Sequence, residues 1–106
     1  MKTKNDFGIN FNLDCQPDHF FTLGKIKDFL KVFDGEFEVQ VSWASTTKGN
    51  RIGYLLTIAV ANDFNGDWIS INLVKNDGQP RVFKSMWAVE SVLSDLGFEQ
   101  YTVYMG

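Results

Sequence analysis

Across 106 residues the chain holds one cysteine, one histidine and two prolines. Cys15 has no second cysteine with which to close an internal disulfide, so a reducing compartment is expected and with it a cytoplasmic location. A lone His19 with no further His or Cys beside Cys15 leaves a zinc-type site incomplete. Two prolines and nine glycines exclude collagen-like or linker composition, and a hydrophobic content of 44% excludes disorder. No apolar run approaches the ~20 residues of a membrane-spanning helix. Met1-Lys-Thr-Lys-Asn-Asp6 leads into no signal-type apolar core. Basic charge is also scarce, ten Lys and Arg against thirteen Asp and Glu, for a net charge of -3. Residues 1–53 are balanced. The whole deficit lies in residues 54–106, where Lys75, Arg81 and Lys84 face Asp63, Asp67, Asp77, Glu90, Asp95 and Glu99. Proteins that grip phosphate backbones normally carry a basic excess, so nucleic-acid binding is disfavoured.

What is present reads as one domain over residues 1–106, with residues 1–6 expected to be flexible. Phe7, Ile9, Phe11 and Leu13 alternate with Gly8, Asn10, Asn12 and Asp14, the period of a half-buried strand. Pro17 breaks that run. Leu23, Ile26, Phe29, Leu30 and Phe33 then fall on one helical stripe, with Thr22 as N-cap and Asp34-Gly35 as the stop, glycine reaching the left-handed conformation without a Cβ clash. Phe37, Val39, Val41 and Trp43 alternate with Glu36, Glu38, Gln40 and Ser42, predicting a strand. Ile52 to Ala61 is apolar at nearly every position, as a central strand should be. A turn over residues 62–67 precedes a strand from Trp68 to Val74. Lys75-Asn-Asp-Gly78 is a hairpin turn, followed by a short strand from Pro80 to Phe83. Ser85 caps a second helix whose stripe is Met86, Val89, Val92, Leu93 and Leu96, ended by Gly97, and Tyr101, Val103 and Met105 alternate to the terminus.

The order β-α-β-β-β-(β)-α-β, with one apolar stripe per helix, predicts an α+β fold. Its expected form is a mostly antiparallel sheet of roughly four to six strands with both helices on one face, the strand order being open.

Candidate chemistry is thin. Cys15, Asp18 and His19 lie in one short connecting stretch, with nothing further to orient a base, and no Gly-x-Ser-x-Gly elbow supports a serine nucleophile. Asp63-Phe-Asn-Gly-Asp67 resembles the start of a calcium loop, but its sixth position is Trp68 and its twelfth Val74 where glycine and glutamate are required. It reads as a turn. No phosphate-binding glycine motif occurs, and the basic tip Lys48-Gly-Asn-Arg51 reads as a solvated hairpin end. The expectation is therefore a protein with no catalytic residue, no metal and no cofactor.

The aromatics are more informative. Phe20, Phe21, Phe29, Phe33, Phe37 and Trp43 fit core positions. Trp68 shares a face with Ser70 and Asn72, and Tyr104 with Gln100 and Thr102. With both helices on the other side, these would join Glu36, Glu38, Gln40 and Ser42 on an open polar sheet face, where aromatics act as interface anchors. The candidate interface is Trp68, Tyr104, Glu36, Glu38, Gln40 and Asn72, with the turn carboxylates Asp63 and Asp67.

One stretch carries a resemblance. Arg81-Val-Phe-Lys-Ser-Met86, running from strand to helix, and Leu96-Gly-Phe98, where that helix ends, resemble the C-terminal part of small plasmid-encoded accessory proteins linked to partition or replication control. The resemblance covers the C-terminal quarter of the chain. It implies a bacterial, mobile-element setting and a non-enzymatic role, and it assigns no catalytic residue. The leading expectation is an interaction module binding a protein partner or a second copy through the open sheet face. The alternatives are an acidic inhibitor that blocks a host nuclease or defence complex, and a nucleic-acid-binding regulator.

Overall fold

The computed structural model describes residues 3–13, 17–63, 66–98 and 102–104, the last three by their backbone alone. A 3-10 turn (Lys4–Phe7) precedes β1 (His19–Phe21), α1 (Leu23–Val32), β2 (Phe37–Ser45), β3 (Arg51–Ala61), β4 (Trp68–Leu73), α2 (Met86–Asp95) and β5 (Thr102–Tyr104). The five strands form one sheet in the order β1-β4-β3-β2-β5. Near-continuous apolarity puts β3 in the middle, antiparallel to β2 and to β4. The two edges are three-residue strands that pair in parallel, β1 on β4 and β5 on β2. α1 carries the chain from β1 to β2 and α2 from β4 to β5, each crossing between parallel strands that are not neighbours in the sheet, which no tight turn could join.

Register sorts the side chains. Val39 lies opposite Ile58, Val41 opposite Leu56, Ile71 opposite Ile58 and Phe21 beside Leu73, which places all of them on one face. That face, with Ile26 and Phe29 of α1 and Val89, Val92 and Leu93 of α2, forms a single buried cluster, so both helices cover the same side of the sheet. The fold is α+β, as the element order predicts. Thr22 Oγ1 accepts the Lys25 N–H at 3.4 Å and Ser85 Oγ accepts the Ala88 N–H at 3.2 Å, the two expected N-caps. Gly97, at φ 84°, closes α2 while the Phe98 N–H bonds the Leu93 carbonyl at 2.9 Å.

Four expectations are corrected. Phe7 to Leu13 is no strand. Phe7, Ile9 and Phe11 are buried alternately as predicted, but their rings pack beneath α1, Phe7 edge-on to Phe29 and Phe11 stacked on Phe29 and Phe33. Alternation reports which side chains are buried; it does not supply a ladder partner. The backbone here is held instead by the 62–63 turn, the Asp63 N–H donating to the Phe11 carbonyl at 2.8 Å. The first strand is His19–Phe21, too short to show a period. Pro80 to Phe83 makes two isolated bridges, Val74–Pro80 and Tyr54–Phe83, rather than a strand, because it crosses from β4 to β3 and Pro80 has no N–H to donate. Gly35 is not in the left-handed region; a Cβ there would stand 2.7 Å from the Phe33 ring, so space is what requires glycine. Phe20 and Phe37 are not core residues, and both are exposed.

Candidate functional site

Among the described residues, no helix lies over the second sheet face. The pairings lay it out in rows: Trp68 beside Ala61, Ser70 beside Ala59, Asn72 beside Thr57, and Leu55 opposite Ser42, with Glu38 opposite Ala59 and Gln40 opposite Thr57. Glu36, whose carbonyl accepts the Ala61 N–H, continues the row of Trp68. Phe20 of β1 lies beside Asn72. Trp68, Glu36, Glu38, Gln40 and Asn72 are thereby brought to one surface, as alternation predicts. Trp68 is 49% exposed and Phe20 60%. Tyr104 belongs to β5, paired with Ser42, but its side chain lies outside the described residues.

Asn72 organises the β1 end of this face. Its Oδ1 accepts the Thr57 hydroxyl at 3.1 Å and its Nδ2 donates to the His19 carbonyl at 3.3 Å, tying the edge strand to the sheet centre. Sequence reasoning missed Phe20. Adjacent residues of a strand point to opposite faces, so recognising His19–Phe21 as a strand would have sent one of the two phenylalanines outward. Leu55 and Pro80 were missed as well. After Leu73 the chain leans toward β1, the Val74 N–H bonding the Phe21 carbonyl at 2.9 Å, while Phe83 pairs with Tyr54 further along β3. Between them opens a pocket of about 230 Å³ whose lining includes Asp18, Phe20, Leu55, Asn72, Val74 and Pro80.

The turn carboxylates fall elsewhere. Asp63 holds Lys4 with both oxygens, at 2.9 and 2.8 Å, and Asp67 closes the turn through its carbonyl, which accepts the Asn62 N–H at 2.9 Å. Asn62 is buried and its Oδ1 accepts the Gly66 N–H at 3.1 Å, so this segment is a side-chain-braced turn, as its composition predicts. No cluster of three potential metal ligands occurs among the described residues. At the basic tip, the Arg51 guanidinium lies over the Trp43 ring at 4.4 Å, and Trp43 stacks on Tyr54 at 4.6 Å.

His19 sits on β1 beside Asp18; Cys15 lies outside the described residues. The His19 Nε2 is buried without a hydrogen-bond partner among the described residues. Burial lowers its pKa from the ordinary 6.5, opposed by the Asp18 carboxylate and assisted by Lys25. Its stabilising contribution is therefore complete above about pH 6.5 and is lost as pH falls toward the depressed folded value, because the unfolded chain takes up the proton first. No other histidine is present. The urea midpoint is expected to fall between pH 7.5 and 5.5, and His19→Gln should flatten that slope; an equal slope in the variant would refute the assignment.

No helix among the described residues is long and apolar enough to cross a membrane. No family model, no curated protein and no solved structure matches the chain.

Proposed function

We propose that the chain is a non-enzymatic interaction module that binds a protein partner through the open face of its sheet. The observation that carries this reading is the placement of Phe20 and Trp68, both exposed, on the sheet face opposite the helices. Large aromatics with small neighbours such as Ala61 and Ser70 are the usual anchors of interfaces. Glu36 and Glu38 add an acidic border on the β2 side. The acidic-inhibitor reading is weakened because Asp63 is engaged by Lys4, and a nucleic-acid reading because no Lys or Arg occupies the described strand positions of this face. A plasmid or mobile-element setting is part of the proposal and rests on the Arg81-to-Phe98 pattern.

The test is capture of complexes from the native host with the tagged chain, alongside light scattering for self-association. Trp68→Ala is expected to lose the complex, a hot-spot loss of about 2 kcal/mol or roughly thirtyfold in affinity, with an unchanged thermal midpoint. Complexes that persist at full strength in the variant would refute the proposal.

A further inference from the structure

We infer that the pocket beside Phe20 receives an arginine side chain projected by the partner protein. The inference rests on the open face being the interaction surface, and it adds the chemistry of what that surface accepts.

Three observations converge. The pocket walls are largely apolar, with the Phe20 ring, Leu55, Val74 and Pro80 suited to the methylene stem of a long side chain. Asp18, an exposed carboxylate with no hydrogen bond or ion pair among the described residues, stands in its lining and supplies the opposite charge. The remaining polar residue, Asn72, is neutral and is held in place by its bonds to Thr57 and His19, so Asp18 supplies the charge of the lining. Charge complementarity extends past the pocket. Of the described strand residues on this face Glu38 is charged, Glu36 extends its row, and no lysine or arginine lies among them.

Arginine fits better than lysine. The exposed Phe20 ring offers a planar face on which a guanidinium stacks, and the same fork meets a carboxylate through paired N–H donors. The molecule uses such stacking elsewhere, with Arg51 over Trp43 and Arg81 over Phe83 at 5.0 Å.

The probe is N-acetyl-arginine methylamide titrated into the isotope-labelled full chain, followed by amide chemical shifts. The neutral isostere N-acetyl-citrulline methylamide is titrated in parallel. Shifts are expected at Phe20, Leu55, Asn72 and Val74, with the arginine derivative binding about fivefold more tightly than citrulline at low salt. Asp18→Asn should remove that preference while keeping the dispersed spectrum of an intact fold, and Phe20→Ala should weaken both ligands. Equal response to the two ligands, shifts spread over the surface, or no shift at tens of millimolar would each overturn the inference. These outcomes are independent of the Trp68→Ala complex. Loss of that complex with no arginine preference would leave the interaction face standing and remove this pocket from it, whereas arginine binding with complexes indifferent to Trp68 would do the reverse.

Discussion

Phe29→Ala is expected to lower the free energy of unfolding by about 4 kcal/mol. Phe29 is fully buried, and its ring lies 5.5 Å from Phe7, 6.2 Å from Phe11, 6.0 Å from Phe21 and 5.2 Å from Phe33. It joins the N-terminal segment, the edge strand β1 and the end of α1, so its removal opens a cavity that no one of these elements can close alone. The better helix propensity of alanine returns well under 1 kcal/mol. Against a total stability of roughly 5–15 kcal/mol for a domain of this kind, the loss is a large fraction. Urea denaturation followed by tryptophan fluorescence measures it. Phe20→Ala is the control, with an expected cost of roughly 0.5 kcal/mol because its ring already faces solvent. Equal costs for the two variants would contradict the placement of both rings.

Gly53→Ala is expected to cost about 3 kcal/mol through a different mechanism. Gly53 has φ 155°, and a Cβ there would run into the Phe83 carbonyl oxygen and stand 2.7 Å from Cγ1 of Val82. Two backbone hydrogen bonds between Tyr54 and Phe83, at 2.7 and 2.9 Å, hold that close approach. An added methyl must push Phe83 away and break them, or bend β3 where its pairing with β2 already shifts register between Ala44 and Ser45. Gly24, with open space around its Cβ position and a place in the first turn of α1, is the matched control: Gly24→Ala should be neutral or stabilising. Thermal unfolding of the two variants side by side decides the matter, and a neutral Gly53→Ala would mean that the 80–83 segment does not press on β3.

Much of the candidate face was legible before any tertiary information. Alternation along β2 and β4 assigned Glu36, Glu38, Gln40, Trp68 and Asn72 to one side, and the pairing register places them there. Phe20 was not legible, because a three-residue strand has no period to read and an aromatic pair is core by default. Asp63 looked like an available carboxylate because its partner Lys4 is 59 residues away. The pocket was invisible for a related reason: it exists where β4 and the 80–83 segment diverge, and divergence between two segments has no local signature.

The amino-acid sequence by itself determined both helices and their N-caps, the central position of β3, the turn at Lys75–Gly78 and the inward side of β2 and β4. All of these follow from local chemistry or from a repeat long enough to count. Only the tertiary structure decided the parallel edges β1 and β5, the route of Phe7 to Phe11 under α1 and the outward turn of Phe20. Each of those depends on which distant segment a short stretch meets, and a few residues carry too little pattern to name a partner far along the chain.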